Sequence, residues 1–181
     1  MIEKITQDIS ICIKCPLCKT RNKTVPGEGC ANAKIMLVGE APGHVNDEQG
    51  RPFVGNGGQI LNKILDRCGI KREDLFITNV VKCWPPENRK PSKKEIEACI
   101  PYLIQQINSI KPELIIALGG VAFETITGRK VKVKENCGKV FYINGKKVGL
   151  CIHPNALRYV KGGFDSLAEQ FSNVINHKIC F

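Results

Sequence analysis

The feature that most constrains this chain is a set of three short apolar runs spaced along its first two thirds: "KIMLVG" at 34–39, "DLFITNVV" at 74–81 and "ELIIALG" at 113–119. Unbroken runs of this length read as strands buried on both faces, which is the condition of a parallel sheet. Between the first two, "GGQILNKILDRCG" places Ile60, Leu61, Ile64, Leu65 and Cys68 at helical spacing and stops at Gly69. A second helix is expected from Ser92, whose "SKKE" forms a capping box with Glu95, through "IEACIPYLIQQINSI"; Pro101 is placed to kink it or end its first half. "GGVAFETITG" reads as a third helix, and residues 164–177 read as a last one. "KVFYINGKKVGLCI" reads as a hairpin turning at Asn144 and Gly145. Strands alternating with helices predict a three-layer α/β/α sandwich around a central, mostly parallel four-stranded sheet. With 181 residues and 43% hydrophobic content, a single domain spanning 1–181 is expected.

In such sheets ligands bind beyond the carboxyl ends of the strands. That rule brings three segments to one rim: the loop after the first run, Asn79 and the residues after "GLCI". The first of these, "VGEAPGHVNDEQGRPFVGNGG" at 38–58, has neither the G-x-G-x-x-G of a dinucleotide site nor the signature of a P-loop. Its glycines let the backbone come close to a ligand, and Phe53 within it is either a stacking surface for a flat ring or a core residue.

The net charge of +10 favours a polyanionic partner such as nucleic acid, with simple solubility as the alternative. "MIEKITQDIS" has no apolar leader region, and no run approaches the ~18 residues a membrane span needs, so a cytoplasmic location without membrane association is expected. In that reducing setting ten cysteines are metal ligands, redox groups or small core residues rather than a disulfide framework. Cys12 and Cys15 form a C-x-x-C, and together with the distant Cys83 and Cys99 they can close a four-sulfur site. Spacing does not choose between zinc and an iron–sulfur cluster. Cys18 extends the pair to C-x-x-C-x-x-C, so counting does not choose the ligands either. Cys68, Cys151 and Cys180 read as core thiols.

Taken together, "CIKCPL", "GEAPG", "GRPFVGNGG", "ITNVVKCWPPENRKP", "ACIPYL" and "HPNALR" resemble the iron–sulfur uracil-DNA glycosylases, family 4 of that superfamily, from about Cys12 to Arg158. The resemblance implies a [4Fe-4S] cluster held by Cys12, Cys15, Cys83 and Cys99, with Cys18 a neighbouring thiol. It further implies a monofunctional enzyme that flips uracil out of double- or single-stranded DNA and hydrolyses its N-glycosidic bond. The products are free uracil and the abasic site that opens base-excision repair. The base pocket would comprise Gly39, Glu40, Ala41, Pro42 and Gly43, with Phe53 as stacking platform and Asn79 reading O4 and N3–H. His153 of "HPN" would stabilise the anion developing at O2, while Asn88 positions the attacking water and Glu40 supports it electrostatically. Asn155 would hold a phosphate, Leu157 would fill the gap left by the base, and Arg158 would meet the backbone. Lys161, Arg89, Lys90, Lys93 and Lys94 are the expected basic surface, and DNA bound by a monomer, associated with the nucleoid, is the expected assembly.

Two positions depart from the family pattern: Asn46 stands where an acidic residue is common, and the third motif is "HPN" in place of "HPS". The first bears on how strictly thymine is excluded, and broader removal of deaminated bases is an alternative. Other readings are a non-catalytic iron–sulfur DNA-binding module of the same fold and an iron–sulfur electron carrier.

Overall fold

A computed structural model describes residues 1–176. The chain opens with α1 (Ile2–Ser10) and the edge strand β1 (Glu28–Gly29), followed by β2 (Ile35–Gly39), α2 (His44–Gln49), α3 (Asn56–Arg67) and β3 (Phe76–Asn79). It continues through α4 (Lys93–Ile110), β4 (Leu114–Leu118), α5 (Gly120–Thr127), α6 (Val133–Asn136), β5 (Lys139–Ile143), β6 (Lys146–Cys151) and α7 (Gly163–Ile175). The sheet has six strands, not four, in the order β1-β3-β2-β4-β6-β5. Its four inner strands run parallel, and β1 and β5 add antiparallel edges. The difference lies at those edges: a two-residue strand has no periodicity to read, and β5 is one arm of the expected hairpin joined to the same sheet.

The unbroken apolar runs follow from burial on both faces. Met36, Val38, Ile115, Ala117, Val148 and Leu150 point to one layer, where they meet Leu103 and Ile107 of α4 and Phe123 of α5. Leu37, Ile77, Ile116 and Leu118 point to the other, against Leu61, Ile64 and Leu65 of α3 and Phe171 of α7. The three-layer sandwich is therefore present. The second run is shorter as a strand than its eight residues suggest, because Val80 and Val81 leave the sheet to donate to the Gly39 and Glu40 carbonyls at 2.9 and 3.0 Å.

Pro101 lies inside α4 without ending it. The residue is exposed, so the carbonyl left without its helical donor faces water. Outside the expected elements lie α1, which packs on α4 through Ile5, Ile9 and Tyr102, and α2, a six-residue helix inside the glycine-rich loop. The expected end of the last helix at His177, and Cys180 as a core thiol, lie outside the described residues. No helix among the described residues is long and apolar enough to cross a membrane.

The capping box is present, and Glu95 does more than cap. It accepts from the Ser92 N–H at 2.7 Å and from both ends of the Arg89 guanidinium at 2.9 and 2.7 Å. Arg89, first among the causes, and the Ser92 bonds pull the Glu95 carboxyl down to about 2. A depressed carboxylate stabilises the fold above its ordinary pKa and loses that contribution as pH falls from 4.5 toward 2. Arg89 is half exposed, so screening reduces the effect: Glu95→Gln is expected to cost about 1–2 kcal/mol at neutral pH and to flatten stability between pH 4.5 and 2, as read by denaturant titration.

Candidate active site

The connections leaving β2, β3 and β6 all open at the carboxyl rim of the parallel strands. Gly39 ends β2 beneath this rim, where a Cβ would collide with Asn79 Oδ1 and stand 2.7 Å from Phe53 Cζ. A glycine is what lets the amide and the aromatic ring press together here. Phe53 itself has φ 51°, a left-handed conformation that costs a bulky residue about 1–3 kcal/mol and persists only where surroundings impose it. The surroundings include Gly58, where any side chain would run into the Phe53 carbonyl. Phe53 is buried against the second core layer, yet its ring also lines the rim cavity and stacks on the His153 ring at 5.5 Å and 28°. Phe53 is thus a core residue and a wall of the cavity at once.

That cavity has a volume of ≈ 300 Å³ and is bounded by Ala41, Phe53, Asn79, Asn88, His153 and Asn155, among others. Asn79 is 1% exposed and its Oδ1 has no hydrogen-bond partner, an expensive state for a buried acceptor and one that a ligand N–H would relieve. Asn46 borders the same space: its Oδ1 accepts from the Gly43 N–H at 2.9 Å, which leaves its buried Nδ2 without a partner. Two residues of a single cavity's lining thus each carry a buried unpartnered atom, one an acceptor and one a donor.

His153 stands two residues past the end of β6. Its Nδ1 accepts from the Asn155 N–H at 3.2 Å, and because a backbone N–H can only donate, Nδ1 is bare and Nε2 carries the proton. Burial pushes its pKa down to about 4, so the imidazole is neutral at physiological pH. The arrangement presents one N–H donor without a full charge.

An adjoining cavity of ≈ 350 Å³ shares Gly43, Asn88 and His153 with the first and adds Glu40, Pro42 and Arg89. Glu40 is therefore beside the first cavity and not part of its lining. Burial raises its pKa, and Lys90 opposes the rise. Asn88 sits at φ 54° after Glu87 at φ 57°, a pair of left-handed residues that turns its amide toward the cavities. The Trp84 indole N–H donates to Asn88 Oδ1 at 2.9 Å and so fixes which end of the amide is which. Trp84 escaped the sequence reading; its signal was its place four residues before Asn88 as the sole tryptophan of the chain.

Of the expected DNA-contacting residues, Asn155 is exposed with its Oδ1 seated against Gly57, where a Cβ would collide with it. Leu157 is half-buried against the second core layer. Arg158 lies 4.7 Å over the ring of Tyr159, which is 65% exposed and is the prominent side chain of this segment. Among the basic residues, Arg89 is committed to Glu95 and Lys93 pairs with Glu97 at 3.7 Å, while Lys90, Lys94 and Lys161 are exposed.

The fold also brings the N-terminal thiols to the body of the domain. Cys83 and Cys99 are buried, Cys15 packs against the same core layer, and Cys12 packs beside Tyr102. The four are near enough to act on one another's ionisation: Cys12 bears on Cys15 and Cys99, and Cys15 bears on Cys83 and Cys99. Burial, the largest cause, pushes Cys83 up to about 11, against which the Arg21 guanidinium donates to its Sγ at 3.2 Å. Cys18 bears on Cys15 as well. No three His, Cys, Asp or Glu side chains among the described residues converge on one point as a mononuclear ion requires. Four thiols that each bind a separate iron of a cluster need no such convergence.

A three-layer α/β/α fold with these groups gathered on its carboxyl rim is that of the uracil DNA glycosylase superfamily, whose family model matches residues 26–177, and the chain belongs to that superfamily. Its similarity narrows further to type-4 uracil-DNA glycosylases. The chain is 51% identical to that of Pyrobaculum aerophilum over 164 residues, covering 86% of this chain and 84% of that protein. It is 42% identical to that of Thermotoga maritima over 159 residues, covering 87% and 83% respectively. With that of Saccharolobus solfataricus it shares 42% over 182 residues, covering 96% and 84%.

Proposed function

We propose that this chain is a monofunctional uracil-DNA glycosylase of base-excision repair, acting as a single-domain monomer: it takes uracil out of the DNA stack and hydrolyses its N-glycosidic bond. The observation that carries this reading is one cavity in which an aromatic ring, an unpartnered buried amide oxygen and a neutral imidazole N–H meet. Uracil stacks on Phe53 and gives its N3–H to Asn79 Oδ1, with Asn79 Nδ2 serving O4; cytosine offers the reverse polarity at these positions and is rejected. As the bond breaks, negative charge gathers on the departing pyrimidine, and His153 Nε2–H stabilises it. The sugar cation is reactive enough that a held water suffices. Asn88, oriented by Trp84, positions that water, and Glu40 in the adjoining cavity stabilises the cation.

Cys12, Cys15, Cys83 and Cys99 hold a [4Fe-4S] cluster, which when bound supplies a cross-link between the N-terminal segment and the loop bearing Asn88. Arg21 offsets part of its negative charge. The basic surface, including Lys90, Lys94 and Lys161, draws the enzyme to DNA in the nucleoid, and Asn155, Leu157 and Arg158 contact the strand around the flipped nucleotide. A second reading, removal of further deaminated bases, is favoured by the free Asn46 Nδ2: hypoxanthine presents the same adjacent N–H and carbonyl as uracil.

The test is release of free base from oligonucleotides carrying uracil, hypoxanthine, thymine or cytosine, using brown protein of measured iron content. Uracil released, with an abasic site left, is the expected result. No release from iron-loaded protein overturns the enzyme in favour of a binding module. Release of hypoxanthine as well establishes the broader specificity.

A further inference from the structure

Lys82 is a fully buried lysine, 1% exposed, that the chemistry above does not use. Its Nζ donates to Thr78 Oγ1 at 2.7 Å, to the Asn79 carbonyl at 2.6 Å and to Gln106 Oε1 at 2.7 Å. All three partners are held as acceptors. Thr78 spends its hydroxyl proton on the Pro26 carbonyl at 2.8 Å, and Gln106 Nε2 donates to that same carbonyl at 2.7 Å. Three acceptors select the three-proton ammonium although burial pushes its pKa down to about 7, and it closes a polar knot between the end of β3, the segment before β1 and the buried face of α4. That face also carries Cys99, seven residues and two turns before Gln106, and Cys83 follows Lys82 directly.

The knot matters because of what it holds. Asn79 Oδ1 has no hydrogen-bond partner among the described residues, so packing and the backbone aim that end of its amide. The backbone leaves β3 at that residue, is tied to the Gly39 and Glu40 carbonyls through Val80 and Val81, and is drawn back onto Lys82 Nζ. We propose that Lys82 is a positioning residue for base recognition: its ammonium fixes the turn after β3 so that the Asn79 amide faces the cavity, and it ties that turn to the helix and loop that bear Cys99 and Cys83. This rests on the reading of the cavity as a pyrimidine site.

Lys82→Met fills the same volume and removes all three donors. It is expected to lower kcat/KM for uracil by about 10²-fold, the scale on which a displacement of about 1 Å in a site acts, at unchanged iron content. In an Asn79→Ala background it is expected to lower kcat/KM no further, because the residue it acts through is gone. A merely structural role gives the same factor in both backgrounds and overturns the proposal, as does a loss that tracks loss of iron. Should Lys82→Met fail to fold, Thr78→Val removes one of the three acceptors and enters the same cycle, with a several-fold loss expected only where Asn79 is present; an equal loss in both backgrounds again overturns it. Wild-type protein that releases no uracil overturns the reading of the cavity instead, so the two failures are distinct.

Discussion

His153→Ala is expected to slow uracil release by about 10²–10³-fold while leaving DNA affinity and the fold in place, the usual consequence of removing one preorganised donor from a developing anion. The effect should fall on kcat, because the ground-state pyrimidine O2 carries little of the charge that Nε2–H stabilises. The pH dependence follows from the same geometry. Burial holds the imidazole near 4 against an ordinary 6.5, so the neutral Nε2–H donor persists as pH falls through 6.5. The contribution of His153 to the rate should therefore change only near pH 4, and a fall above that belongs to Glu40, whose raised carboxyl Glu40→Gln would remove. Stability falls with pH as well, but over a different interval. The unfolded chain takes up a proton at 6.5 while the folded one does not until about 4, so the fold should weaken across that interval by about 3 kcal/mol. His153→Ala should abolish that slope in denaturant titrations, and the imidazole signal in an NMR titration should move near pH 4; movement at 6.5 would contradict the desolvated site.

The second large effect is expected from Asn79→Leu. Leucine keeps the branching of asparagine at Cγ and needs no partner, so relief of the unsatisfied Oδ1, worth about 1 kcal/mol, is opposed by the greater bulk of its methyl groups beside Gly39 and Phe53, and stability should change by no more than about 1–2 kcal/mol. The same change removes the amide proposed to read the pyrimidine edge, and uracil release should fall by about 10²–10³-fold or more, since sites built on hydrogen bonds discriminate by such factors. A variant of near wild-type stability that is nearly inactive identifies a group retained for recognition. A loss of several kcal/mol, beyond what added bulk costs, would show instead that the amide is tied into the fold in the absence of substrate.

Much of this molecule could be read along the chain. The runs at 34–39 and 113–119 are apolar without alternation because Met36 and Leu37, or Ile115 and Ile116, face opposite helical layers, and that double burial is written into consecutive residues. Ser92 and Glu95 announced the start of α4 because a capping box is closed within three residues. Asn79 and His153 could be placed on one rim because parallel strands end on the same side. By contrast, β1 is two residues paired only through Glu28 and Gly29 to the far edge of the sheet, and the true length of β3 depends on carbonyls about forty residues earlier. Neither leaves a local period.

What the sequence determined by itself is therefore the layered α/β frame, the rim on which the candidate site lies and the residue types brought to it. Those follow from hydrophobic period, capping and motif, all of which act over a few residues. Only the tertiary structure decided that Phe53 serves core and cavity at once, that the Asn155 N–H selects the His153 tautomer, that Trp84 orients Asn88 and that Lys82 stands behind Asn79. The reason is one of range: desolvation and hydrogen-bond direction are set by whichever atoms are close in space, and at this site those atoms come from the ends of three different strands.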